Sequence, residues 1–174
     1  MSYDLNILCV NQKYASINFP NNISIYVEAQ NQKPEDNPKF YGTYCPFMNA
    51  INGIWYYLMS DQVEISSFEL CDIYDDDGEI EQLYPFWYKD EDEDEIDVRI
   101  LKLRGKYKYD IFDTIKYLIK SSPVNTIIFH SRYQSKEEEP EYIYGTFTFT
   151  QFVELLTNNK ILFNTCYIIR DKTL

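Results

Sequence analysis

Thirteen carboxylates fall between residues 72 and 97, in DIYDDDGEIEQLYPFWYKDEDEDEID, and a single histidine, His130, closes the apolar run Ile127-Ile128-Phe129. These side chains have the chemistry to hold a divalent cation, to move a proton, or to attract a basic surface. A calcium loop is the first pattern to test, because Asp75, Asp77, Gly78, Glu79 and Ile80 alternate acids before a glycine and an apolar residue. The register fails: with Gly78 at the sixth position, the first ligand would be Ile73 and the bidentate twelfth would be Tyr84. A metal-dependent nuclease site needs a few carboxylates fixed at strand or helix ends, not the six-residue run Asp90-Glu91-Asp92-Glu93-Asp94-Glu95. No cofactor and no metal are therefore expected.

His130 is the one conventional general base of the chain, yet no marked nucleophile accompanies it and Ser131 lacks the glycine-flanked turn of a nucleophile elbow. A structural place at a strand end is the expectation, with no catalytic residue assigned. Cys45 precedes Pro46 at the start of a helix-like segment, where a helix dipole would favour a thiolate. Cys9, Cys71 and Cys166 stand among apolar neighbours, and no two cysteines have CxxC spacing. Four free thiols, mostly in the core, are expected. Gly-rich phosphate loops, HExxH and the dinucleotide-binding fingerprint are all missing from the sequence.

The carboxylates matter more for where they lie than for what they could ligate. Residues 72–97 hold 13 Asp or Glu against Lys89, a net charge of −12, while the other 148 residues hold 15 acidic and 15 basic side chains. The whole net charge is thus one block on a neutral body. Such a block attracts cations and repels phosphate over about 8–10 Å, which disfavours direct nucleic-acid binding. Interleaved with it are Tyr74, Tyr84, Trp87 and Tyr88, aromatic side chains of the kind that anchor interfaces. The partner-binding set expected from this pattern is Asp75, Asp76, Asp77, Glu79, Glu81, Tyr84, Trp87, Tyr88, Asp90, Glu91, Asp92, Glu93, Asp94 and Glu95. In the competing structural reading, Phe86 and Trp87 are core and the acids are a solvated rim.

The elements that must carry this block follow from periodicity. With 174 residues, 45% of them hydrophobic, one globular domain over residues 1–174 is expected, with an acidic excursion at about 72–97. Leu5 to Val10, Tyr14 to Phe19 and Ile23 to Ala29 predict an antiparallel meander, and Phe47, Ile51, Ile54, Trp55 and Leu58 predict a helix from Pro46 to about Ser60. Strands are predicted at Val63 to Leu70, Ile96 to Leu103, Val124 to Phe129, Tyr142 to Phe147 and Phe163 to Ile169. Asp110 is the expected cap of a helix that buries Ile111, Phe112, Ile115, Leu118 and Ile119 and stops at Ser121-Ser122-Pro123. Thr148 and Gln151 predict a capping box for a helix ended by Asn158-Asn159. The fold class predicted is α+β, a mixed, mainly antiparallel sheet with about three helices packed on it. The start, Met1-Ser2-Tyr3-Asp4, has no basic leader, and the densest apolar stretch is too short to cross a bilayer, so a cytoplasmic location without membrane contact is expected.

The segments YDIFDTIKYLIKSSPVNTIIFH and GTFTFTQFVELLTNNKILFNTCYIIRD, in a small acidic α+β chain, give residues 96–171 a character that resembles immunity proteins of contact-dependent inhibition and related polymorphic-toxin systems. The resemblance implies a cognate inhibitor of one toxin domain, often a basic nuclease, acting by blocking its active site or substrate surface. The same charge also suits a phage-type nucleic-acid mimic, which would compete at many basic grooves. A metal-dependent enzyme is the third possibility, and it alone predicts turnover and a cation requirement.

Overall fold

In the computed structural model, residues 3–15, 18–20, 26–27, 51–57, 68–72, 99–103, 108–133, 142–162 and 165–174 are described. They form nine strands and two helices. β1 (Tyr3–Val10), β2 (Tyr26–Val27), β3 (Gly53–Tyr57), β4 (Phe68–Asp72) and β5 (Arg99–Leu103) precede α1 (Lys108–Ser121). β6 (Thr126–Tyr133), β7 (Tyr142–Phe147), α2 (Phe149–Thr157), β8 (Ile161–Leu162) and β9 (Thr165–Arg170) follow. The class is α+β, as expected, but the strands divide between a six-stranded sheet of order β2-β3-β1-β6-β9-β7 and a three-stranded sheet of order β4-β5-β8. Every pairing is antiparallel except β7 with β9, which the crossover through α2 makes parallel.

Alternation along the central strands decides what goes where. Leu5, Ile7 and Cys9 of β1, Ile54 and Tyr56 of β3, Ile127 and Phe129 of β6, and Tyr167 and Ile169 of β9 share one core with Ile111, Ile115, Leu118 and Ile119 of α1 and Phe152 and Leu156 of α2. Burial of each such large apolar side chain is worth about 1.5–3 kcal/mol. The Phe129 and Phe152 rings lie 5.0 Å apart, and Phe152, Tyr167 and Tyr144 continue the aromatic series towards the outer strand β7. The opposite face of the sheet is also covered: Leu8, Ile128 and Cys166 are buried there, with Val10, Ile51, Trp55 and Ile168 partly so.

Local signals set the helix ends. Thr148 accepts from the Gln151 backbone N–H while Gln151 Oε1 accepts from that of Thr148, the expected capping box. Asn158 caps the other end, and Asn159 takes the left-handed conformation at φ 54°. At the end of α1, Ser122 Oγ donates to the Val10 carbonyl at 2.8 Å and accepts from the backbone N–H groups of Val124 and Thr126. That one hydroxyl ties helix, turn and sheet together.

Four expectations need correction. Gly53–Tyr57 is strand, not helix, and two helices stand among the described residues against the three expected. Ile54 and Trp55 fit the predicted helical face because both are apolar; in the sheet, where both faces are covered, they serve opposite sides, and Tyr56 joins Ile54 in the main core. The N-terminal meander does not form either: β1 is flanked by β3 and β6, so no place beside it is left for residues 14–19. Within that stretch Tyr14 is 79% exposed and Phe19 packs edge-on against Tyr56 and Tyr117. Asp110 does not cap α1, which begins two residues earlier, and instead lies in its first turn. The predicted closing strand, Phe163 to Ile169, is met by β9, but it is preceded by a short strand that was not expected, β8, which belongs to the other sheet.

Candidate partner-binding site

The acidic excursion has a defined base. β4 and β5 pair antiparallel in continuous register, Phe68 with Leu103, Glu69 with Lys102, Leu70 with Leu101, Cys71 with Ile100 and Asp72 with Arg99. The chain leaves this hairpin at Asp72 and returns at Arg99, with 26 residues between them. Two directly paired antiparallel strands can be joined by two to five residues. Residues 73–98 are therefore far more chain than closing this hairpin requires, and they contain 12 Asp or Glu and one Lys. Asp75, Asp76, Asp77, Glu79, Glu81, Tyr84, Trp87, Tyr88 and Asp90 to Glu95 all lie outside the described residues, as does the question of whether Trp87 and Tyr84 are core or interface. The β4–β5 hairpin is what brings the two ends of the set together.

β8 fixes this hairpin to the rest of the molecule. It adds to β5 through Leu162 with Ile100 and Ile161 with Leu101, and α2 packs against β5. β8 then leads within a few residues into β9 of the main sheet.

His130 is elsewhere. It sits in β6 with Asn6 of β1 and Cys166 of β9 as cross-strand partners, and all three are 0% exposed. A general base has to reach the proton it removes, and an imidazole enclosed between two neighbouring strands has no contact with solvent from which a substrate could come. Ser131, its neighbour, is also buried, and its hydroxyl donates to a backbone carbonyl.

Cys9 and Cys166 are free and buried, as expected. Burial pushes the Cys9 thiol up to about 12, and its Sγ donates to the Leu118 carbonyl at 3.3 Å, so it is held as a thiol. Cys71 lies in β4, while Cys45 and Pro46 are outside the described residues. Among the described residues no three His, Cys, Asp or Glu side chains gather in a cluster that could hold a metal ion, and no helix is long and apolar enough to cross a membrane.

Asp171 is a residue that periodicity did not point to. Its Oδ1 accepts from Thr173 Oγ1 at 2.6 Å and from the Thr173 backbone N–H at 2.9 Å, and its Oδ2 accepts from the Phe149 N–H at 3.2 Å in the first turn of α2. The Thr173 hydroxyl, then its backbone N–H, hold the carboxyl below the usual range, with Phe149 adding to the effect. The Asp171-Lys172-Thr173 spacing was the available signal, since Asp commonly accepts from the backbone two residues on.

Comparison with known proteins finds no matching family model, no matching curated protein and no matching solved structure.

Proposed function

We propose that this chain acts by binding: a small acidic cytoplasmic inhibitor that neutralises a basic protein, a cognate toxin nuclease domain, by covering its active site or substrate surface. One observation carries the proposal. A hairpin that two to five residues could close instead carries 26, and those residues hold nearly the whole net charge of the protein. Charge spread for solubility would not be concentrated in one insertion on a neutral body. In this role the carboxylates steer the encounter and fix its register, while Tyr84, Trp87 and Tyr88 supply the apolar contact that slows dissociation. The consecutive carboxylates Asp90 to Glu95 favour one other version of the same physics, in which the excursion imitates a phosphate backbone and occupies a nucleic-acid-binding groove.

The test is inhibition. Capture from the native host should retain one basic protein, and an equimolar amount of the chain should suppress that protein's cleavage of DNA or RNA. A version with the 12 acids of residues 73–98 changed to Asn and Gln should not suppress it. Equal suppression of several unrelated DNA- or RNA-binding proteins would select the mimic, and suppression by the neutralised version would remove the acidic excursion from the mechanism.

A further inference from the structure

Gly53 opens β3 against β1, where a Cβ would run into the Cys9 carbonyl oxygen, so this position calls for glycine. The residue before it is Asn52, which stands just outside the strand and is exposed. Asn52-Gly53 is the one Asn-Gly pair in the 174 residues. The close approach of two strands thus dictates the neighbour that leaves an asparagine most open to chemistry.

That chemistry needs only water. The Gly53 nitrogen, giving its proton to hydroxide, attacks Asn52 Cγ; the bond from Cγ to the side-chain nitrogen breaks, and the departing nitrogen takes a proton back from water and leaves as ammonia. A side chain on the attacking residue would crowd that nitrogen, and glycine has none. The product is a succinimide ring that joins Cγ to the Gly53 nitrogen. Water then opens the ring at one of its two carbonyl carbons. Opening at Cγ leaves an ordinary aspartate. Opening at the main-chain carbonyl leaves an isoaspartate, in which the chain runs through Cβ and Cγ and the former main-chain carbonyl becomes the free carboxylate. Either way one amide and one water become one carboxylate and one ammonium.

We propose that Asn52 is a self-modification site that ages this fold at the β1–β3 pairing. Isoaspartate lengthens the chain between Asn52 Cα and Gly53 by one bond of about 1.5 Å, nearly half the ~3.3 Å that a strand rises per residue. The change falls where the register begins: Val10 pairs with Gly53, Cys9 with Ile54, and the Asn11 N–H donates to the Asn52 carbonyl at 2.7 Å. Gly53 has no slack in which to take up the excess, because it already lies close against the Cys9 carbonyl. The strain therefore passes to Ile54 and Tyr56, which β3 contributes to the main core. Ordinary aspartate keeps the chain length and disturbs the pairing less. The site lies in the main sheet, and the proposal is independent of the partner-binding function.

Ageing the full-length protein in warm, mildly alkaline buffer, with and without urea, tests the site. In the folded protein the fragment that contains Asn52 should gain the mass difference between an NH2 and an OH group, and protein isoaspartate methyltransferase should then transfer a labelled methyl group to it. Asn52→Gln, whose attack would have to close a larger ring, and Asn52→Ser, which has no amide, should lose both signals in that fragment. The exposed position of Asn52 makes both substitutions compatible with the fold. The aged wild type should show a lower urea midpoint, while both variants aged alongside it keep theirs. Modification confined to protein held in urea would mean that strand pairing protects Asn52, and would overturn the proposal. So would a mass gain that maps only to other asparagines, a midpoint unchanged in the modified protein, or one that falls equally in the variants.

Discussion

Asp72 and Arg99 face each other as the last cross-strand pair of the β4–β5 hairpin, with 26 residues of chain between them. Their juxtaposition means that the acidic insertion begins and ends at one point of the fold.

Removal of the insertion is the direct consequence. If residues 73–98 are replaced by Asn-Gly, a two-residue turn suited to an antiparallel hairpin, the Asp72–Arg99 register can be kept. The net charge falls from −12 to −1 because the deleted stretch contains 12 acids and one Lys. Shortening the connection from 26 residues to two should stabilise the fold by about 2 kcal/mol of loop-closure entropy. A urea melt should show a midpoint at or above that of the wild type, with inhibition of the partner abolished. A variant that no longer folds would place the insertion in the core.

Kinetics separate the two kinds of residue in the insertion. Asn and Gln replacements at Asp75, Asp76, Asp77, Glu79, Glu81 and Asp90 to Glu95 should slow association with the partner, with an effect that shrinks as salt rises. Ala at Tyr84 or Trp87 should speed dissociation by an amount equivalent to about 1–4 kcal/mol. Loss of the circular dichroism signal in the aromatic variants would make those rings core, and association indifferent to both salt and neutralisation would reduce the acidic block to a solubility feature.

Legibility in the sequence followed the range of the physics. The capping box at Thr148 and Gln151, the helix stop at Asn158-Asn159 and the strand Tyr142–Phe147 are local features, and the structure places them where the residues imply. The apolar face of α1 is likewise as the spacing predicts. Gly53–Tyr57 was not legible, because a short apolar run satisfies helical and strand patterns alike and only its pairing with β1 decides. The position of β1 between β3 and β6 depends on contacts across more than a hundred residues, and the smaller sheet on the pairing of β5 with β8. For the candidate site, the charge and its boundaries were visible at once. The hairpin that closes its base was not, since nothing in residues 68–72 or 99–103 names the other as partner.

Gly53 shows how closely β3 and β1 approach. A Cβ at this position would run into the Cys9 carbonyl oxygen and come within 2.9 Å of Leu8 Cδ1. Backbone cannot yield as a side-chain tip can, so Gly53→Ala should destabilise by roughly 1–3 kcal/mol. The urea midpoint should fall at unchanged slope, and an unaffected midpoint would mean that the two strands part easily.

Asp171 sets a pH dependence of stability at the start of α2. Its carboxylate accepts three hydrogen bonds, from the Thr173 hydroxyl, the Thr173 N–H and the Phe149 N–H, and these hold its pKa below the ordinary value for an aspartate, about 3.9. A carboxyl depressed on folding contributes stability that is fully present above the unfolded pKa and is lost as pH falls through the folded one. Asn at this position cannot carry the charge. Asp171→Asn should therefore melt below the wild type by a constant margin from neutral pH down to about 5, and the margin should close as pH drops below about 4. Comparing the two proteins at each pH removes the background from the 27 other acidic side chains, which both share. Thr173→Ala removes the hydroxyl with the largest effect on the carboxyl, so its own margin below the wild type should close over the same acid range. A margin for Asp171→Asn that stays constant through pH 2, or widens there, would mean that the charge of Asp171 does not hold the C-terminal turn to the start of α2.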